Sequence, residues 1–443
     1  MRSLRIGRAV RRADIEPFRG VIVRALPSTS LLKARILLGC VERGGTLLLS
    51  SRRAMRGAAA LLAATFFMSC SDSPVSTRGS APGSIAWRVA DIRSPFDATD
   101  LASDAQRVYA YRDGLSISAV RLADRAIVWT AKADETFDNN FSPRGLTRCG
   151  SAVVFGSAAA LYGVSPDDGS RLWRWRPSKG GQLGYSTPRC NGTIVYFGTG
   201  RPMFIYAVDA NSGAELWSSD FALDPASNGF VWTPRFSDGV VVGCTREFTR
   251  DHTGMIAAVD AATGARLWQY TWSAQAPTTD ASCASPMSAA GGIAVGAADD
   301  GRIFGLDLRT GELRWTAPRV PGYTSSITDQ RPTVIADSLV IAGSGSGVIT
   351  GYDLTSGAER WRTVDPKGAI YSVIMDPFVA GNGVAIAMNT GGFGLAFDVS
   401  TGRRRWTFTP SGNVTQQILF GPGVLTDSLI IAVGSDGLYA LRR

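Results

Sequence analysis

The sequence predicts an all-β fold, an eight-bladed β-propeller with four antiparallel strands per blade. Three observations carry that expectation: a tryptophan that recurs about every 45 residues, a fixed turn motif ahead of it, and short β-rich runs upstream of each turn. Trp87, Trp129, Trp173, Trp217, Trp268, Trp315, Trp361 and Trp406 follow one another at intervals of 42, 44, 44, 51, 47, 46 and 45 residues. The motif is clearest in Ala207-Val208-Asp209-Ala210-Asn211-Ser212-Gly213-Ala214-Glu215-Leu216-Trp217. It recurs before Trp268, Trp315, Trp361 and Trp406, and more loosely before Trp129 and Trp173.

Each position of the motif has a physical reason. Four residues before the tryptophan stands a glycine (Gly169, Gly213, Gly264, Gly311, Gly357, Gly402), which supplies a positive φ in a hairpin turn. Eight residues before it stands an aspartate in five units (Asp209, Asp260, Asp307, Asp353, Asp398), a type that accepts turn N–H groups. One carboxylate per unit, each in a turn, reads as structure rather than as a metal centre. Ten residues before the tryptophan the side chain is always small (Ala119, Gly163, Ala207, Ala258, Gly305, Gly351, Ala396), with Ala440 in that role in the last unit; close approach of neighbouring sheets is the expected cause. Upstream lie runs such as Thr193-Ile194-Val195-Tyr196-Phe197-Gly198 and Leu339-Val340-Ile341-Ala342-Gly343, and no sustained helical period.

The ends of the repeat complete the count. Leu438-Tyr439-Ala440-Leu441 lacks a tryptophan strand after it, while Ile85-Ala86-Trp87-Arg88 lacks a hairpin before it. Pairing the two closes an eight-bladed ring and leaves no open sheet edge at the seam.

Ahead of the repeat the chain changes character. Residues 1–54 are Arg-rich and without periodicity, and read as an extension upstream of the true start, disordered if translated; a long cytoplasmic extension before an uncleaved anchor is the alternative. Met55-Arg56-Gly57 and the apolar run Ala58–Met68 make 55–69 a signal peptide, too short to span a bilayer. It ends in Phe67-Met68-Ser69-Cys70, similar to a bacterial lipobox, so Cys70 is the expected lipidation site; an ordinary secretory cleavage nearby is the alternative. Residues 70–83, rich in Ser, Pro and Gly, read as a flexible tether to a propeller over 84–443. Ser71 after the cysteine leans toward the outer membrane, facing the periplasm.

Charge excludes one class of partner. Twelve of the 46 Lys and Arg but three of the 37 Asp and Glu fall in residues 1–54, which leaves 34 of each in the remainder. The formal +9 therefore belongs to the leader, and the folded part offers no net positive charge for nucleic acid.

Catalytic constellations are scarce. The one histidine, His252 in Thr249-Arg250-Asp251-His252-Thr253-Gly254, reads as a turn residue, so a histidine metal centre is excluded and any Ser-His-Asp triad would rest on it alone. Gly343-Ser344-Gly345-Ser346-Gly347 lacks the Lys and helix of a phosphate loop. Besides Cys40 and Cys70, the cysteines are Cys149, Cys190, Cys244 and Cys283. In an oxidising compartment three connectivities are open; neighbour pairing, 149–190 and 244–283, is the expectation, with Cys149 and Cys190 at equivalent positions of successive blades, and four buried thiols the alternative.

The segments after each tryptophan strand are the longest and most varied. They carry Phe137, Phe141, Tyr185, Phe230, Trp232, Tyr323 and Tyr371 among Asn and Gly, a composition suited to a protein-binding surface, unless these aromatics line the innermost strands. Arg189, Arg235 and Arg331, each beside a proline, either ring a channel mouth or bond to adjacent blades.

The repeated unit, small–apolar–Asp–x–x–Thr/Ser–Gly–x–x–x–Trp, resembles the tryptophan-docking repeat of pyrroloquinoline-quinone-type propellers over essentially all of 84–443. The resemblance implies that each tryptophan packs on the next blade's turn, and that the inter-blade segments lie on one face around the central opening. The family holds quinone-dependent dehydrogenases and cofactor-free members, and the lipobox and plain blades are most similar to its BamB branch of outer-membrane assembly lipoproteins. The enzymes' adjacent Cys-Cys pair is missing here, and no acidic cluster has calcium-like spacing. The resemblance thus implies a monomeric, non-enzymatic scaffold without cofactor, held to the membrane by lipid alone, binding proteins such as barrel-assembly machinery. A quinone-dependent oxidoreductase and a polysaccharide- or peptide-binding propeller are the alternatives.

Overall fold

The computed structural model describes residues 81–92, 101–113, 116–134, 145–184, 186–224, 228–247, 253–273, 282–317, 333–343, 347–364, 379–388, 394–408, 423–434 and 436–443. All lie within the unit Cys70–Arg443. They form eight antiparallel sheets, and no helix occurs among them. Blade 1 comprises Ala102–Ser103, Arg107–Asp113, Ser116–Arg121 and Ile127–Lys132, paired in sequence order. Blades 2 to 7 repeat that order over 146–175, 189–220, 229–273, 288–317, 333–364 and 379–408, blade 4 with an added short strand, Gly229–Val231, that shares Val240–Glu247 with its first strand Arg235–Ser237. First strands of successive blades adjoin around the ring.

Burial explains the strand composition. Second and third strands, such as Ala152–Gly156 and Leu161–Val164, are buried at every residue, because blades cover both of their faces. They therefore read as continuous apolar runs of Val, Ile, Phe and Tyr. Fourth strands sit at the rim and alternate: in Arg171–Trp175 only Trp173 and Trp175 are buried.

The tryptophans join the blades. From blade 1 to blade 6 the indole N–H donates to a backbone carbonyl in the next blade's turn, at 2.8–3.0 Å: Trp129 to Pro166, Trp173 to Ala210, Trp217 to Ala261, Trp268 to Leu308, Trp315 to Leu354 and Trp361 to Val399. The ring lies on that turn's glycine, where a Cβ on Gly169, Gly213, Gly264, Gly311, Gly357 or Gly402 would stand within 2.7 Å of ring atoms. These glycines have φ between 67° and 74°, so the backbone and the indole both exclude a side chain. In blade 1 the equivalent residue is Arg125, at φ 66°: the conformation is kept without the glycine.

The small residue ten before the tryptophan has a different cause from the one expected. It pairs across the hairpin with its own blade's tryptophan: Ala119 with Trp129, Gly163 with Trp173, Ala207 with Trp217, and so on to Ala440 with Trp87. The indole crosses over that residue on its way to the next blade, and a Cβ at Gly163, Gly305 or Gly351 would overlap the ring.

The turn aspartates act as acceptors. Asp209 takes the N–H groups of Asn211 and Ser212 at 3.1 and 2.8 Å, and Asp260, Asp307, Asp353 and Asp398 repeat the pattern. In blades 5 to 7 an arginine one residue before the tryptophan also pairs with the aspartate: Arg314 with Asp307, Arg360 with Asp353 and Arg405 with Asp398, at 2.7–2.9 Å. The arginine, with the turn N–H and hydroxyl donors, holds the Asp307 carboxyl down at about 2, and those of Asp353 and Asp398 lower still.

Blade 8 joins the two ends of the repeat. Its strands are Val424–Leu425, Leu429–Gly434, Gly437–Arg442 and, from the other end of the chain, Ile85–Val89. Gly83 N–H donates to Arg442 at 2.8 Å, and Arg88 pairs with Asp436 at 2.7 Å. Gly83, at φ 78° and four residues before Trp87, receives the ring of Trp406 as the internal glycines receive theirs. The expected tether is thereby shortened: Ala81 to Gly83 belong to the fold, because the last docking contact needs them.

Candidate functional site

The ring has two unlike faces. The docking turns lie on one, beside the turns between first and second strands, as the bond from Ala210 N–H to Thr193 shows at 2.7 Å. The described hairpins between second and third strands, such as Ser157–Ala160, lie on the other. Phe137, Phe141, Tyr185, Tyr323 and Tyr371 of the expected binding surface fall outside the described residues, as do His252, Arg331, Ser344 to Ser346 and Cys70.

Phe230 and Trp232 are described, and they are not on the surface. They are 6% and 4% exposed, meet edge to face at 4.9 Å, and join a core cluster with Val242, Ile256 and Trp268. The Trp232 indole donates to Cys283 at 2.9 Å. Phe230 on the strand Gly229–Val231 and Trp232 just past its end both turn their rings into the core, which corrects their assignment as exposed partner contacts. Arg189 and Arg235 lie half-buried on the first strands of blades 3 and 4.

On the loop face of blades 2 to 5 the segments are knitted into a shelf. Gly229–Val231 pairs with the upper end of Val240–Glu247. It also reaches back to blade 3, where Val231 N–H donates to Thr199 at 3.0 Å, while Gln182 and Gly200 exchange backbone bonds on the other side. Glu247, 1% exposed, accepts the Leu223 N–H at 3.0 Å, and the Ser282 hydroxyl donates to the Glu247 carbonyl at 2.8 Å. One residue thus pins the segments entering and leaving blade 4. Two ion pairs extend the shelf to blade 5: Arg246 with Asp299 at 3.0 Å, and Arg302 with Asp300 at 2.6 Å. Arg302 lies over the Phe304 ring at 5.2 Å and donates to the Ser273 carbonyl at 2.7 Å. Nothing in the sequence marked these residues, because Arg246 and Asp299 sit 53 positions apart and Asp299-Asp300-Gly301 reads as an ordinary acidic turn.

The cysteines staple the same arc. Cys149 and Cys190 are joined between blades 2 and 3 with Cα atoms 5.4 Å apart, and Cys244 and Cys283 between blades 4 and 5 with Cα atoms 6.0 Å apart. The register corrects one expectation. Cys149 pairs with Ala152 beside its turn, whereas Cys190 pairs with Val195 and Asn191 takes the turn position. The two are therefore one residue out of phase. Equivalent side chains in a ring all point the same way round, so bonding between neighbours requires that odd offset.

Among the described residues, the side chains do not gather into a quinone and calcium site. No three His, Cys, Asp or Glu side chains converge as metal ligands among the described residues. The described cysteines pair between blades instead of standing adjacent. Among the described residues no helix is long and apolar enough to cross a membrane. What this arrangement does chemically is hold a broad, rigid, hydrogen-bonded face in place.

Ring, docking and shelf define the class: a tryptophan-docked propeller of the pyrroloquinoline-quinone type. Residues 203–443, more than half of the chain, match the profile of the family described as outer membrane protein assembly factor BamB, and the chain belongs to that family. Among solved structures it is similar to BamB from Moraxella catarrhalis, at 17% identity and TM-score 0.56, over 80% of this chain and 96% of that one. The quinohemoprotein alcohol dehydrogenase from Comamonas testosteroni is similar at 13% identity and TM-score 0.61, over 83% of this chain and 77% of that one. The computationally designed Ika8 protein is similar at 16% identity and TM-score 0.60, over 80% and 99%. At these identities the likenesses establish the fold alone. No curated protein sequence is significantly similar to the chain.

Proposed function

We propose that this chain is a non-catalytic lipoprotein scaffold of the cell envelope, attached through Cys70 to the outer membrane, facing the periplasm and assisting the assembly of outer-membrane β-barrels. The observation that carries the reading is the family match over 203–443, since the family is described by that assembly role. Two features support it. The apolar run before Ser69-Cys70 suits a lipoprotein signal. The stapled shelf over blades 2 to 5 is built to present a surface, with buried ion pairs whose groups are committed to one another. The partner is another protein of the assembly machinery or an unfolded barrel strand, received by the loop face.

Affinity purification of the tagged protein from native envelopes after crosslinking, with mass spectrometry of chain and partners, tests this. The expected result is a diacylglyceryl-modified Cys70 at the N-terminus, with barrel-assembly proteins recovered alongside. A quinone travelling with the protein would instead support an oxidoreductase reading on the same fold.

A further inference from the structure

Blade 1 departs from the turn chemistry that blades 2 to 7 keep. In blades 3 to 7 one aspartate oxygen, eight residues before the tryptophan, accepts two successive turn N–H groups at 2.8–3.1 Å. In blade 2 the Ser165 hydroxyl stands there and takes the Asp167 N–H at 3.2 Å. In blade 1 the position is Arg121, whose side chain has no acceptor. The Ala123 N–H therefore meets no acceptor among the described residues, and the Asp124 N–H has only its own carboxylate. Arg121 also pairs directly with Arg107, where blades 3, 4 and 5 set Ile194, Val240 and Ile293 against the aspartate. Like charges placed opposite one another weaken a sheet, and an anion between them relieves the repulsion. A chain that breaks its own local rule at one site marks that site as a functional candidate.

A cavity opens at the same place. In blades 5 to 7 the residue before the tryptophan is an arginine that reaches over to the turn aspartate; in blade 1 it is the shorter Val128. Between the turns of blade 1 and the docking turn of blade 2 lies a space of about 380 Å³, walled by Arg107, Arg121, Leu122, Ala123, Val128 and Asp167. Arg107 turns Nη1 to Asp167 at 3.2 Å, and Arg121 turns Nη1 to Asp124 at 2.7 Å, which leaves Nη2 and Nε of both guanidinium groups for a ligand. Asp104, nearby, is taken by the Tyr109 hydroxyl and the N–H groups of Gln106 and Arg107. Arg107, Arg121 and Arg125 are matched in number by Asp104, Asp124 and Asp167, so placed donors rather than net charge select the ligand.

We propose that this cavity binds a small monocarboxylate, whose carboxylate takes the place that the turn aspartate holds in blades 3 to 7 and whose apolar body lies on Leu122 and Val128. Five blades of the same chain show that a carboxylate oxygen completes this turn. Successive backbone N–H groups with guanidinium donors beside them are a general anion-binding arrangement. The volume lies at the lower end of the range for small-molecule sites, about 300–1,000 Å³, so the ligand is of modest size. The site sits on the docking-turn face and depends on neither the Cys70 anchor nor the assembly role.

The test is ligand-observed saturation-transfer NMR on the purified full chain, with hexanoate as the probe, 1-hexanol as its neutral counterpart and inorganic phosphate as a competitor. Hexanoate should bind about tenfold or more tighter than hexanol, the difference expected of charge-assisted hydrogen bonds, and phosphate should displace it poorly. Arg121→Asp supplies the turn with its own carboxylate, so the variant should fold as blades 3 to 7 do and lose about tenfold or more in hexanoate affinity. Val128→Arg, which fills the groove and leaves the donors in place, should weaken binding as well. Arg309→Ser, on the equivalent turn of blade 5, should leave it unchanged. Hexanoate and hexanol binding alike, phosphate displacing hexanoate at equal concentration, or undiminished hexanoate binding by Arg121→Asp and Val128→Arg would each overturn the proposal.

Discussion

Replacing Gly311 by alanine separates the two demands placed on a docking glycine. Gly311 has φ 73°, and a Cβ there would lie 2.6–2.8 Å from Cδ2, Cε3 and Cγ of Trp268. The left-handed backbone alone costs an L-residue about 1–2 kcal/mol, partly offset by a stiffer unfolded chain, which leaves roughly 1 kcal/mol. The clash adds more. The 8%-exposed indole must retreat from its seat, which is overpacking at about 1–3 kcal/mol and endangers the Trp268 bond to Leu308, worth about 1 kcal/mol. The sum is about 3 kcal/mol. Gly292 is the internal control, since it has φ 75° and no atom within 4 Å of its Cβ position, so Gly292→Ala carries the backbone term alone. Urea unfolding followed by circular dichroism should place Gly311→Ala about 2 kcal/mol below Gly292→Ala. In Trp268→Ala/Gly311→Ala the two losses should be strongly non-additive. Equal costs for the two glycine variants would refute docking as the reason for the glycine.

Three further outcomes follow from the same geometry. Arg125→Gly should stabilise the ring by about 0.5 kcal/mol in the same assay, because a non-glycine residue holds a left-handed φ of 66° there; a loss of stability would show that the arginine side chain matters more than its backbone. The Cys149–Cys190 and Cys244–Cys283 links close loops of 41 and 39 residues, so serine pairs at either should each cost on the order of 4 kcal/mol in the chain-entropy limit; non-reducing peptide mapping should recover both links, and full alkylation of the native oxidised protein would refute them. Asp353 is held well below the usual carboxylate range by Arg360 first and by the Thr355 and Ser356 hydroxyls next. Its contribution to stability is therefore complete above about pH 4 and fades as the pH falls toward the depressed folded value, so Asp353→Asn should flatten the acid limb of the stability curve; an unchanged acid limb would show that the turn aspartates are incidental.

Blade number and ring closure were legible because the tryptophan motif repeats with its turn glycine, and because the unmatched Trp87 strand and the unmatched Leu438–Leu441 strand have one economical solution. Gly83 escaped notice because Ser-Pro-Gly composition reads as linker unless counted back from Trp87. The small residue ten before each tryptophan was visible, but its cause was not: only the register shows that it lies under its own blade's indole. Phe230 and Trp232 misled for a related reason. An aromatic among Asn and Gly resembles a binding loop, and only strand pairing reveals which way it points. The shelf was illegible altogether, since Glu247 is defined by Leu223 and Ser282, contacts that leave no local pattern.

The most direct test of the scaffold function is the level of folded outer-membrane β-barrel proteins in cells lacking this chain, read as heat-modifiable bands on gels. Depletion of folded barrels is expected, restored by the native chain and not by Cys70→Ala. Unchanged barrel levels, with or without the chain, would contradict the assembly role and leave the propeller in search of another partner.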